Sequence, residues 1–559
     1  MLTLLFITLA FAPLAFASVE PWALGLLQLS LFTIAARLYI TGRATQSNPL
    51  YKNLLPAILL IAALGLLQAL NQNPVNAPSR LFFTTWRPAT LNAVNLWLFY
   101  AAALFITPQI INTPERFKKL MWMIFSMGVL VALVGLFQKS EKAARVYGLW
   151  KVTGDAFGPF INRDHGANFL LMTALVGLGL FFSGFRQLAA HQSRTRLFDL
   201  LSVQFLNLVM VAGLVYGIYK CGSRGGLHSF ALVAAAMGFT SAWFIKTKKF
   251  RFAAWAGLAL LTAGYCVFVY NNRLLLGYQD GKLVSSVTIR FSMYKSGLEM
   301  FKDFPLAGVG LGAVEHAFPF YAALDIPTNR FYVGHVHSDW LELFLQTGLL
   351  GGLIYLAGLL GALFYAFKTW AGCHSFRLKA LYGGALAAVL GALAHNFVEF
   401  GSQMPANALF FYTLLGALAS KPPTLPRHAY LEQDEEEPAP PAKPLAAAAA
   451  LAALLLGLAA VPAAMAWWYN YQAKEAPYEL KVKYHAAALQ WRRDPKYAFL
   501  LAAAHYNKAM KQNPPDAALL AAARQAIYPY LTQTPVNHDL NRLNSFILTL
   551  QSRPHPPKH

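Results

Sequence analysis

The apolar residues of this chain come in blocks about twenty residues long, and that single feature leaves few ways to fold it. As a helix rising about 1.5 Å per residue, such a block matches the roughly 30 Å hydrocarbon core of a bilayer. About thirteen blocks occur, beginning near Leu2, Trp22, Asn53, Leu91, Leu120, Ala167, Leu201, Leu227, Phe252, Leu341, Arg377, Pro405 and Leu445. Over 559 residues, 57% are hydrophobic and 13% charged, whereas about a quarter of the residues of a soluble domain carry charge. The expected fold is an all-α polytopic integral membrane protein with about thirteen transmembrane helices. The first block also has the character of a signal peptide ending near Ala15–Ser18. It lacks a basic leading region and a second block follows at once, so an uncleaved helix is expected.

The formal charge is +22, and its distribution says more than its size. With the N-terminus inside, the inner connections Arg43–Lys52, Arg116–Lys119, Arg186–Arg196, Lys246–Arg251 and Lys368–Lys379 carry 15 Lys and Arg. The short outer connections, longer in total, carry fewer, which is the positive-inside pattern. No stretch combines basic density with interleaved exposed aromatics, so nucleic acid is not expected as a partner. Cys221, Cys266 and Cys373 fall in or beside the blocks with no framework spacing and read as small buried apolar residues.

This topology sorts the polar segments. Residues 1–420 form a helical bundle interrupted by a long outer loop, 271–340; residues 421–444 form a linker; residues 445–468 form a last span; and residues 469–559 form an outer helical tail. The linker, with EQDEEEPAPPAKP at its centre, is expected to be disordered on the inner face. The aromatics Trp467, Trp468, Tyr469 and Tyr471 mark the outer end of the last span. In the tail, Tyr484–Trp491, Ala498–Lys511 and Pro515–Gln533 show helical periodicity, with a weak tetratricopeptide-like character. The outer loop is too long for a passive connection. Val287–Phe304 has helical spacing there, followed by the Gly-rich PLAGVGLGAVEHAFPFY.

Polar residues collect at the outer ends of the spans. They are Asn162, Arg163, Asp164 and His165; Arg224; Arg290; His335, His337, Asp339 and Glu342; and His395, Asn396 and Glu399. Charges so near hydrocarbon are costly unless paired or functional. Arginine keeps its charge and presents a planar fork to two phosphate oxygens. Histidine is suited to take a proton from a hydroxyl near neutral pH. Together they read as a site where a hydroxyl displaces a lipid diphosphate.

The order of FGPFINRDHGANFLLM, the SRGG turn, an arginine before an amphipathic helix, PLAGVGLGAVEHAFPFY and HVHSDWLELFLQTGLLGGL resembles the bacterial O-antigen ligase and polymerase superfamily of membrane glycosyltransferases. The resemblance spans roughly residues 157–355, and more weakly through HNFVEFGSQMP to about residue 420. It implies transfer of a glycan from a polyprenyl diphosphate carrier to a glycan, lipid or protein acceptor, at the periplasmic face of the cytoplasmic membrane, without metal or nucleotide cofactor. By position it assigns catalytic roles to Arg224, Arg290 and His337; beside them, Arg163, His165 and His335 are candidates for substrate contact. The residue after His337 is Ser338 where the superfamily has Asn, and Trp340 stands where Tyr is common.

Plainer readings stand beside these. Arg224 can reach to the interface from a helix end, and Arg290 can pair with Asp280 or Glu299. His335, His337 and Asp339 have a spacing that permits zinc without specifying it. His395 and Glu399 stand four residues apart, as on one helix face, and read as a contact between helices. The Gly308–Gly312 run follows no strand and reads as a tight turn, and Gly348, Gly351 and Gly352 as helix packing. Ligation or polymerisation of a surface polysaccharide is the leading function. Protein O-glycosylation is the enzymatic alternative, and lipid or polysaccharide transport the non-enzymatic one. Transport predicts paired halves and broken helices near the midplane, which the sequence does not display.

Overall fold

The computed structural model describes residues 1–41, 49–76, 81–140, 145–148, 150–151, 155–189, 194–243, 245, 247–271, 282–323, 326, 333–420, 443–512, 514–531 and 538–551. Apart from one two-residue antiparallel ladder, Arg145–Val146 with Trp150–Lys151, and isolated bridges, they are helices and connections. In chain order the helices are α1 Leu2–Leu14, α2 Pro21–Ile40, α3 Pro49–Ala69, α4 Arg87–Ile110, α5 Pro114–Ser140, α6 Arg163–Ala189 and α7 Arg194–Cys221. Then come α8 Arg224–Trp243, α9 Lys248–Asn271, α10 Lys282–Asp303, the short α11 Val314–Ala317, α12 Asp339–Ala371, α13 Phe376–His395 and α14 Pro405–Leu418. The chain resumes with α15 Lys443–Leu458 and α16 Val461–Ala473, then α17 Tyr478–Trp491, α18 Pro495–Ala509, α19 Ala517–Leu531 and α20 His538–Gln551.

Among the described residues, ten helical segments are long and apolar enough to cross a membrane. The blocks beginning near Leu2 and Pro405 form shorter apolar helices of 13 and 14 residues instead. The last expected span is two helices, α15 and α16, joined end to end where Pro462 starts the second. The linker expected at 421–444 lies almost wholly outside the described residues. Burial is graded across the bundle. The apolar window of α6 is 83% buried and that of α13 67%, while α9 has none. Helices α6 and α13 therefore form the centre and α9 the rim. They meet backbone to backbone, since a Cβ on Gly179 would stand 2.8 Å from the Cα of Gly384 and from the carbonyl of Ala380. Small residues permit that approach, and dispersion holds it where lipid offers no hydrophobic gain. Cys221 and Cys373 are buried, but Cys266 on the rim helix α9 is exposed, contrary to the expectation for all three.

The segment between α10 and α12 is anchored through a break in α12. At Gly348 the backbone takes φ 63° and ψ −165°, a conformation open to glycine and costly for other residues. The freed carbonyls of Leu345 and Gln346 accept from the N–H groups of Val309 and Gly310 at 2.9 and 3.3 Å. In return, the N–H groups of Leu349 and Leu350 donate to Pro305 and Leu306 at 2.7 and 3.1 Å. The buried Gln68 of α3 closes the junction. It donates to the carbonyls of Ala307 and Gln346, and it accepts from the N–H of Leu311. Irregular backbone at a bundle's end is tolerated when its polar groups are satisfied in this way. The Gly-rich run is thus a turn inserted into a helix break. Met293 and Met300 of α10 pack on Val309, Val314, Phe318 and Val336, and so α10 lies over the turn.

The tail docks on the same end of the bundle. Trp86, at the start of α4, is buried among Ala498, Ala502, Leu520, Ile527 and Leu543 of the tail helices. Its ring also stacks on His316 of α11, centroids 5.5 Å apart. Helices α17 to α19 occupy the expected helical segments, and α20 was not expected from the sequence.

Replacing Gly348 by Ala should destabilise the fold. A Cβ there collides with the backbone of Leu306, adding overpacking of about 1–3 kcal/mol to a backbone cost of similar size. The thermal midpoint of the solubilised protein should fall by several degrees. Gly257→Ala, where a Cβ meets nothing within 4 Å, should leave that midpoint unchanged or raise it.

Candidate active site at one end of the bundle

Glu399 sits in the turn between α13 and α14, with its side chain 1% exposed. An isolated carboxylate so placed would be strongly disfavoured, and three basic side chains from different parts of the chain surround it. From α10, Arg290 brings one guanidinium nitrogen to 3.3 Å from Oε2, and its other terminal nitrogen donates to the carbonyl of Val398 at 2.9 Å. From the segment before α12, His337 places Nδ1 3.3 Å from Oε1. From the first turn of α6, His165 places Nε2 3.6 Å from the same oxygen. Neither imidazole is aligned for a full hydrogen bond, so both are close polar contacts. The N–H of Phe400 donates to Oε1 at 3.2 Å. Burial raises the Glu399 carboxyl, but the imidazoles of His165 and His337 outweigh it and hold the group well below the usual carboxylate range. Asp164, 3.8 Å from Arg290, adds a second acid.

A second pair lies beside the first. His335 Nδ1 stands 2.7 Å from Oε1 of the buried Glu342, which also accepts from Gln346 at 3.0 Å. Burial opposes charge on this imidazole, but the adjacent Glu342 carboxylate prevails and pushes it up to about 9. The ring of Phe400 joins the two pairs. It stacks on His335 at 4.3 Å and meets His165 and His337 edge-on at 4.6 and 5.0 Å. Asp339 faces elsewhere, accepting from the N–H and hydroxyl of Ser402 at 2.7 and 2.6 Å. His335, His337 and Asp339 therefore turn to three different partners, and the spacing that permitted zinc does not bring them together. Ser338 caps α12 by accepting from the N–H of Leu341. His337 precedes it at φ 54°, a region that costs a non-glycine residue about 1–3 kcal/mol, and the hydroxyl of Tyr294 secures its carbonyl at 2.9 Å.

The structure thus gathers Arg290, His337, His165 and His335 within one cluster. Arg224 opens α8 at its border, where a Cβ on the next residue, Gly225, would stand 2.9 Å from Val398 and 3.1 Å from His395. Arg163 is turned outward, 40% exposed and paired with Asp155 at 2.7 Å. Two expectations are corrected. Arg290 pairs with Glu399 and Asp164 and not with Glu299, which is taken by Lys302, and Asp280 lies outside the described residues. His395 and Glu399 do not share a helix face, because α13 ends at His395. Glu399 is the hub that sequence reasoning set aside; the available signal was an acid at the end of a span in a chain with few acids.

Residues 208–356 match the family model described as O-Antigen ligase. Over that stretch the chain is similar to O-antigen ligases. That match runs from within α7 into α12, and it bears out the resemblance to the O-antigen ligase and polymerase superfamily. Arg224, Arg290, His335 and His337 lie inside it, whereas Arg163, His165 and Glu399 come from outside. The match supports a role in glycan transfer at a membrane during surface polysaccharide assembly. No curated protein matches the chain.

The pair of His335 with Glu342 sets a pH dependence. The folded imidazole is held at about 9 against an ordinary 6.5. Its contribution to stability is therefore complete below about pH 6.5 and is lost as pH rises through about 9. The thermal midpoint should fall across that window in the wild type, and Glu342→Gln should flatten the fall.

Proposed function

We propose that the protein transfers a glycan from a polyprenyl diphosphate carrier to an acceptor hydroxyl, ligating or polymerising a surface polysaccharide. The site would lie on the periplasmic face of the cytoplasmic membrane. The observation that carries this reading is the meeting of Arg290 and His337, each 28% exposed, at one end of a membrane bundle whose residues 208–356 match the O-antigen ligase family. An amphiphile with a diphosphate head fits that position. Its isoprenoid chain remains among the apolar helix ends, where Phe291 and Phe397 are exposed beside Arg290 and Val398.

In the reaction, the acceptor oxygen attacks the anomeric carbon and the bond from that carbon to the diphosphate oxygen breaks. The hydroxyl proton passes to His337, and the lipid diphosphate leaves with the electron pair. Arg290 and Arg224 offset the charge that grows on the leaving diphosphate, an electrostatic role that counts for most in a poorly hydrated site. Arg163, His165 and His335 border the site as substrate contacts. No step requires a metal or a nucleotide.

The test is glycan transfer by the purified protein in liposomes, with polyprenyl diphosphate-linked oligosaccharide as donor. Wild type should form product and release free polyprenyl diphosphate. His337→Ala should lose about 10²–10⁴-fold in rate, and Arg290→Ala should lose transfer while remaining folded. Donor that crosses the bilayer unmodified, equally with all three proteins, would point to transport and end this reading.

A further inference from the structure

Glu399 has no step in the transfer described above, yet it faces the two residues that matter most to it. Its carboxylate is 1% exposed and theirs are side chains 28% exposed, so it stands behind them and away from the open face. Oε1 confronts His337 Nδ1 at 3.3 Å. A carboxylate opposite Nδ1 favours the tautomer with its proton on that nitrogen, and this leaves the Nε2 lone pair free to accept one. Oε2 holds Arg290 at 3.3 Å, while the carbonyl of Val398 and the carboxylate of Asp164 hold the same guanidinium at 2.9 and 3.8 Å. The turn that carries Glu399 is itself fixed, for its carbonyl and that of Asn396 both accept from the N–H of Asp339 at 3.1 Å. The base and the cation are therefore referred to one rigid point.

We propose that Glu399 is a positioning residue that sets the tautomer of His337 and the aim of Arg290 through a single buried carboxylate. This rests on the glycan-transfer reading above. Charge separates such a role from that of a structural prop. The carboxylate is an anion beside the place where a diphosphate binds, so it helps the base and hinders the donor. Glu399→Gln keeps the shape and removes the charge, and Asp164 and the Val398 carbonyl remain to hold Arg290.

The experiment measures kcat and donor KM for the full-length protein in liposomes, by release of polyprenyl diphosphate from the oligosaccharide donor. Glu399→Gln should lower kcat by about 10²–10⁴-fold, the range seen when a base loses its orienting carboxylate. Its donor KM should stay equal or fall, since the anion that opposes the donor's diphosphate is removed. Glu399→Asp restores the charge and should recover part of kcat. Wild-type kcat in Glu399→Gln, beside inactive His337→Ala, would overturn the positioning role and leave the transfer reading standing. A donor KM rising in step with the fall in kcat would also overturn it, by making Glu399 a structural prop. Wild-type transfer by both His337→Ala and Arg290→Ala would remove the two readings together.

Discussion

One buried carboxylate organises one end of this helical bundle. Placing a charge among packed helices costs several kcal/mol unless partners compensate it, and around Glu399 those partners come from α6, α10 and the segment before α12. None of these elements is adjacent in sequence to another. The charge therefore acts as a constraint on the fold: removing a partner leaves an uncompensated ion, so the four segments are held in one arrangement. His335 with Glu342 repeats the device a few residues away, and Phe400 packs between the two pairs.

The frame beneath the cluster depends on interrupted backbone. The break of α12 at Gly348 exposes carbonyls that the 305–310 turn satisfies, with Gln68 of α3 sealing the exchange. This fixes the end of α10, and with it the height at which Arg290 meets the bundle. The tail adds weight to the same end through Trp86 and His316. The membrane-embedded portion supplies rigidity through close helix packing, and the chemistry-bearing side chains stand at its rim.

Much of this was legible in the sequence, and the reasons for success and failure are physical. Spans of about twenty apolar residues are dictated by bilayer thickness, so the blocks emerged as helices. Local spacing gave α10 and the tail helices, because amphipathic periodicity is a short-range property. The arginines and histidines stood out because charges so near hydrocarbon are costly unless paired or functional. Glu399 did not stand out, since its separation from His395 imitates a helix face. What ends α13 at that point is long-range: Asn396 accepts from Asn168 of α6 and donates to Ser402. In the same way, the nearby Glu299 seemed a natural partner for Arg290, while the actual partner stands 109 positions away. Partners chosen by tertiary contact leave no local signature.

On the proposed function, the diphosphate end of a lipid carrier binds at the Glu399 cluster. The most direct test is photocrosslinking with a polyprenyl diphosphate that carries a photoreactive group on the isoprene unit nearest the phosphates, followed by peptide mapping. Adducts are expected in α10 around Phe291 and in the turn from Phe397 to Phe400, suppressed by Arg290→Ala and by excess unlabelled polyprenyl diphosphate. Adducts confined to other parts of the bundle, unchanged in the Arg290 variant, would contradict that reading.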